Sequence, residues 1–274
     1  MSLQTEDGFG VLTYAGLGMT ARGTQPSEWL RSIFLGRTGR FEAGLQMLAE
    51  IAVTELPRHL RKMPDAGHVI IAEAFVDGEP RRYTITTDID PVTGDPAVEF
   101  SRLTIFGTPE SPVHRLALAG SGGYYLEAHA DGWDRRLLHL VKAHERGRVD
   151  TVAVADHLAV INHRVHQQLR DGTVGPDCIV AWQCRDGTGE SQFYAGVTRT
   201  DREDDEDVPE IANGEDIPAI GRILFDEVTR LTANEVGTPV PNDLGMELTL
   251  YGIPADEIHR RINELPHKPD DRLR

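Results

Sequence analysis

"LALAGSGGYYLEAHADGW", residues Leu116 to Trp133, is the stretch on which the reading of the fold turns. A short apolar strand runs into Gly120-Ser121-Gly122-Gly123, and a helical pattern follows. A glycine turn at such a junction offers free backbone N–H groups at the positive end of a helix dipole, a setting that can hold a phosphate. Neither G-x-x-x-x-G-K-[ST] nor G-x-G-x-x-G is present, and the next lysine is Lys142. Phosphate binding, a plain tight turn and one support of a catalytic site are the three readings of this stretch.

Outward from it, two amphipathic stripes stand back to back. The first carries Leu126, Ala130, Trp133, Leu137 and Leu140; the second carries Val154, Leu158, Ile161, Val165 and Leu169. Their short "GRVD" link predicts antiparallel neighbours. "DCIVAWQC" and "SQFYAGV" then bracket "RDGTGE" as a hairpin. On the N-terminal side, "GFGVLTYAGLG" reads as a small-residue strand. Pro26-Ser27-Glu28 opens a helix with Trp29, Ile33 and Phe34 on one side, and Phe41, Leu45, Leu48, Ala52 and Leu56 mark a second. "HVIIAEAFV" and "RRYTITTD" flank the hairpin signal Asp77-Gly78-Glu79-Pro80; "VEFSRLTIFG" and "RLALAGSG" follow as strands. The order is strand, two helices, about four strands, two helices, two strands. It lacks the βαβ alternation of a doubly wound parallel sheet and favours antiparallel sheets with helix pairs outside.

The chain has 274 residues, 39% hydrophobic and 26% charged, with a formal net charge of −16. That charge argues against nucleic acid or an anionic membrane as partner, since both call for a basic face. No apolar run approaches the roughly 18–20 residues of a membrane span, and no secretory signal is read at the N-terminus. Cys178 and Cys184, in one predicted strand, lie roughly 20 Å apart at strand rise and do not pair within it. They lack C-x-x-C spacing, so no zinc site is read, and a reducing cytoplasm is the expected compartment.

Taken together, "VLTYAGLGMTAR" before a helix pair, the hairpins, "ALAGSGGYYLEAHADGW", the second helix pair and "LRDGTVGPDCIVAW" resemble a proteasome-type subunit of the N-terminal-nucleophile hydrolase superfamily. The resemblance covers roughly Gly8 to Val197. In that family a G-S-G heads the third helix, and an R-D-x-x-[ST]-G follows the fourth and leads into a strand. Here the two motifs stand about 50 residues apart with two helices between. The resemblance implies an α+β fold, a four-layer α-β-β-α sandwich of two antiparallel sheets, assembly into a homo-oligomer, and amide-bond hydrolysis of a peptide or small amide, with no cofactor and no metal.

The family's nucleophile is the first residue of the mature chain, usually threonine. Its own amine is the base, and a lysine about thirty residues on tunes its pKa. Ser121 matches the G-S-G serine and Asp171 the aspartate of R-D, both as supporting catalytic residues. The expected Ser or Thr before Gly175 is Val174, with Thr173 one residue earlier as a substitute. The first lysine is Lys62, so Thr5, Thr13 and Thr20 have no lysine at the family's distance, and no nucleophile is identified. The sequence therefore reads as starting at the family's third or fourth strand, with an N-terminally incomplete domain and a vacant place in a sheet as the expectation. Removal of Met1 would expose Ser2 as a nucleophile, but "SLQTEDGFG" does not read as a buried first strand. The alternative is a scaffold or ring subunit that keeps the sandwich without the reaction.

His163 and His166 form H-x-x-H, a spacing that can face one metal. His163 falls nearly opposite the apolar stripe, so these two, with His139 and His144, read as solvated. A Ser-His-Asp triad of Ser121, one of these histidines and Asp171 has no support from spacing, and G-x-S-x-G is absent. Trp29, Trp133 and Trp182 read as core, and Tyr124 and Tyr125 as packing at a helix start. The expected organisation is a proteasome-like domain over 1–198, an acidic linker over 199–216 containing "DREDDEDVPE", and a C-terminal extension over 217–274 with a helix and a short strand "GMELTLYGI".

Overall fold

In the computed structural model, residues 1–16, 25–56, 67–90, 92–103, 107–108, 111–112, 116–129, 132–199 and 210–223 are described. The core is built around β2 (Gly8–Gly16) and β3 (His68–Val76), which pair antiparallel from Gly8↔Val76 to Gly16↔His68. Along β3 the even-numbered residues His68, Ile70, Ala72, Ala74 and Val76 are buried, as a period of two dictates for one covered face. The hairpin to β4 (Glu79–Ile89) turns at Asp77 and Gly78, both at positive φ (51° and 76°), the type I′ geometry that Asp-Gly favours. β5 (Pro96–Leu103) adds antiparallel to β4.

Two helices cover the even face. Pro26 opens α1 (Pro26–Phe34), where its missing N–H costs nothing, and Trp29, Leu30, Ile33 and Phe34 are buried beneath it. In α2 (Phe41–Glu55), Phe41, Leu45, Leu48, Ala49 and Ala52 face the sheet. Asp7, in the turn between β1 (Ser2–Gln4) and β2, accepts from the Phe41 amide at 2.7 Å and from Arg40 Nε at 2.8 Å, which fixes the start of α2. Burial pushes the Asp7 carboxyl up, but Arg40, the Phe41 amide and the Thr5 hydroxyl outweigh it and hold the group below its ordinary value. One apolar cluster joins Leu12, both helices, Tyr83 and Ile85.

The large sheet is longer at its N-terminal edge than the sequence reading expects. β1 pairs antiparallel with β2, Met1 and Leu3 are buried, and the Met1 nitrogen donates to the Leu12 carbonyl at 2.9 Å. "SLQ" is thus a sheet strand after all: alternating Ser2, Leu3 and Gln4 is a strand period too short to see by itself. β11 (Glu210–Ala212) runs parallel to β1, and β12 (Glu215–Asp216) closes the order β12-β11-β1-β2-β3-β4-β5. The predicted acidic linker over 199–216 is corrected here: residues 210–216 belong to the sheet. Their anchors are the fully buried Ile211, the Arg31–Asp216 ion pair and the Gly36 N–H to Gly214 carbonyl bond of 2.6 Å. Asp216 also caps the helix that begins at Ile217, accepting from the Ala219 amide at 3.0 Å. The helix expected from Ile217 therefore starts in place; its continuation, the acidic run over 201–209, Thr20, Lys62 and the strand "GMELTLYGI" lie outside the described residues.

A short ribbon of β6 (Gly107–Thr108) and β7 (Ser111–Pro112) precedes the second half. There α3 (Gly120–Ala128), α4 (Trp133–Glu145) and α5 (Thr151–Gln168) lead to β8 (Cys178–Gln183), β9 (Gly189–Ala195) and β10 (Thr198–Arg199), a three-stranded antiparallel sheet. The single helix read through Leu126 to Leu140 is two, broken where Gly132 takes φ +71°, and the Trp133 indole N–H folds back onto the Leu126 carbonyl at 3.2 Å. Residues 116–119 join no sheet, correcting the strand read there, because α3 folds back on them: a Cβ on Gly123 would stand 3.0 Å from the Leu118 carbonyl carbon. α5 packs on β8 and β9 through Ala155, Ala159, Cys178, Val180, Trp182 and Tyr194, and the Tyr194 hydroxyl donates to Asp156 at 2.8 Å. Trp29 is buried; Trp133 and Trp182 are half-buried rather than core. Both cysteines are free thiols.

β8 lies beside β2. A Cβ on Gly187, in the β8–β9 turn, would come 3.9 Å from the Phe9 ring, and Phe9 stands on the odd face with Phe75 at 5.6 Å between ring centroids. Elsewhere that face is mixed: Thr13, Glu73 and Ser101 are exposed and Thr84 half-buried, beside the half-buried Val69 and Ile71. The architecture is mixed α and β, and among the described residues no helix is long and apolar enough to cross a membrane.

Candidate functional site

The glycine turn is held from two sides. Gly120 opens α3 at φ +71°, and a Cβ on it would stand 3.4 Å from the Ala15 Cβ near the end of β2. A Cβ on Gly122 would stand 3.2 Å from Val174 Cγ2 and 3.4 Å from Val165 Cγ1. The two sequence motifs therefore meet. Between the two flanking glycines Ser121 is exposed, and no side chain caps the start of its helix.

Asp171 stands in the loop after α5. Its Oδ1 accepts from the Thr173 amide at 3.0 Å and the Thr173 hydroxyl at 2.8 Å, and these two bonds hold the fully exposed carboxyl below its ordinary value. The same device recurs at Asp186-Gly-Thr188, with Oδ1 accepting at 3.0 and 2.6 Å. Asp-Gly-Thr is here a turn that closes on itself, and the Thr173 hydroxyl donates its proton within it.

Val174 packs with Val165 and Leu169 in the apolar cluster of α4 and α5. The loop is lashed to α5 by His166, whose Nδ1 donates to the Val174 carbonyl at 2.7 Å, and by Asn162, whose Nδ2 donates to the Gly175 carbonyl at 3.3 Å. The solvated reading of His166 is corrected accordingly. His163 turns toward the Gly196 turn and takes a 2.8 Å hydrogen bond from Gln167. His139 is exposed; His144 Nδ1 donates to the Val149 carbonyl at 3.1 Å. Among the described residues no group of three or more His, Cys, Asp or Glu is placed to hold a metal ion.

Of the described nucleophile candidates, Ser2 and Thr5 stand at the far end of β2 from this meeting point, while Thr13 is two residues from Ala15. Ser2 pairs with Val11, which is four residues, about 13 Å along the strand, from Ala15. The Thr5 hydroxyl donates to the Gly8 carbonyl at 3.0 Å. Thr13 shares the face of Ala15, is exposed, and donates to the Ile71 carbonyl at 3.3 Å.

One buried polar network escaped the sequence reading. The Tyr14 hydroxyl hydrogen-bonds Nδ1 of His68, which is fully buried, and the His68 amide donates to Thr87 Oγ1 at 2.7 Å. No motif marks it, because its members come from three strands. Burial pushes the Tyr14 phenol up to about 12 from 10.0. The folded chain thus keeps a proton that the unfolded chain releases above pH 10. The network's contribution is complete below pH 10 and is lost as pH rises toward 12. Urea unfolding at pH 9, 10 and 11 should show wild-type stability falling more steeply than that of Tyr14→Phe; parallel slopes would refute the linkage.

No family model matches the sequence, and neither a curated protein nor a solved structure matches it.

Proposed function

We propose that this chain is a proteasome-like protein of the N-terminal-nucleophile hydrolase fold, a four-layer α-β-β-α sandwich acting as a non-catalytic scaffold subunit that assembles with copies of itself in a reducing, cytoplasmic compartment. The observation that carries this reading is the Gly122–Val174 contact. It brings the two motifs together, and the side chain there is Val174, which has no hydroxyl, where the resemblance leads one to expect Ser or Thr. Asp171, the second supporting group, spends one carboxylate oxygen on its own turn.

A second reading, amide-bond hydrolysis of a peptide or small amide, is favoured by the exposed position of Ser121, next to the Gly120 that approaches Ala15 near the end of β2. Incubation with an epoxyketone or a β-lactone, followed by intact mass measurement, separates the two. The scaffold reading expects unchanged mass and a multimeric particle by light scattering. A covalent adduct would replace it with the hydrolase reading, and a monomer at micromolar concentration would overturn it.

A further inference from the structure

In the second half, residues of α3, α4 and α5 line a cavity of about 280 Å³. That is close to the lower end of the range for small-molecule sites, ~300–1,000 Å³. Its floor is apolar, from Leu126, Val160, Ile161 and Val165. One wall is flat: Tyr125 and His129 stack at 4.1 Å between ring centroids and 17° between planes, with Trp133 beside them. The rim is cationic. Arg136 of α4 and Arg164 of α5 both line the cavity, both are exposed, and neither has a carboxylate partner among the described residues. No acidic side chain lines it among the described residues, in a chain with 44 carboxylates against 28 lysines and arginines.

His157 lines the cavity with the two arginines, its Nε2 buried and without a hydrogen-bond partner among the described residues. Burial and the Arg136 and Arg164 charges all hold it below its ordinary pKa. A wider cleft of about 510 Å³ continues from the same residues to Arg135 and His139. Two guanidiniums without a carboxylate partner among the described residues, over an apolar, aromatic-walled floor, are suited to one kind of ligand. The rings stack a planar group, and the forks take a carboxylate or phosphate on its edge. An orphan imidazole nitrogen adds a further polar contact.

We propose that this cavity binds a small planar organic anion. Isothermal titration calorimetry on the full chain tests it with 1-naphthoate, 1-naphthyl phosphate and the uncharged 1-naphthamide. At least one anion should bind ten times or more tightly than the amide, and the two anions separate a carboxylate from a phosphate ligand. Arg136→Gln and Arg164→Gln should each weaken that anion about tenfold, the size of one charge-assisted hydrogen bond. Both arginines are exposed, so unchanged circular dichroism and Tm should accompany the loss. Equal binding of the amide, anion binding indifferent to both substitutions, or no binding at millimolar ligand would each overturn the proposal.

Discussion

Phe41→Ala is expected to destabilise the chain by about 3–5 kcal/mol, the cost of emptying a buried phenylalanine site. Phe41 is 0% exposed and meets the Tyr83 ring at 6.1 Å between centroids; Tyr83 in turn stacks on Phe100 at 6.2 Å and 2°. The residue also carries the amide that Asp7 accepts, but that bond is to the backbone and survives the substitution. The loss is therefore one of packing between α2 and the sheet. For a chain of this length the melting temperature should drop by roughly 10 °C. Thermal unfolding followed by circular dichroism measures it, and a change under 1 kcal/mol would mean that α2 does not cover the even face of the sheet.

What was legible in the sequence follows from length and period. The α2 stripe from Phe41 to Leu56 repeats over four turns, and every named position in it is buried. Asp77-Gly78 announces a two-residue hairpin because few other pairs accept positive φ twice in succession. Short elements were not legible. β1, β11 and β12 have two or three residues each, and Glu210 to Asp216 looks like linker until Ile211 and Asp216 are seen buried. The break between α3 and α4 hides inside an intact apolar stripe, where only Gly132 tells of it.

At the candidate site, the resemblance implies that the G-S-G and R-D regions belong to one site, and in the structure Gly122 and Val174 meet. The chemistry of single residues was less legible. Asp171, expected as a supporting residue, closes a turn with one carboxylate oxygen; the same turn at Asp186 shows that the local Asp-Gly-Thr sequence is enough to make it. His166 was read as solvated because the helical period alone does not reveal a loop passing over α5. The cationic cavity was invisible in a chain of net charge −16, since its arginines and histidines come from three separate helices.

The proposed layering depends on the start of α3 resting against the odd face of β2, and a covalent bridge tests that most directly. The Ala15 Cβ and a Cβ built on Gly120 stand 3.4 Å apart, at the short edge of the separation that a disulfide spans, about 3.5–4.5 Å. Ala15→Cys with Gly120→Cys, in a background where Cys178 and Cys184 are serine, should oxidise within one chain. The bond would close a loop of about a hundred residues, worth up to about 4.7 kcal/mol by restriction of the unfolded chain. A side chain at the positive φ of Gly120 returns about 1 kcal/mol of that. The expected result is a bond within one chain, seen as a single-chain species without free thiols under denaturing, non-reducing conditions, and a protein more resistant to urea when oxidised than when reduced. Two thiols that stay reactive in the folded, oxidised preparation, or that pair only between chains, would contradict the contact between the two halves and with it the proteasome-like arrangement.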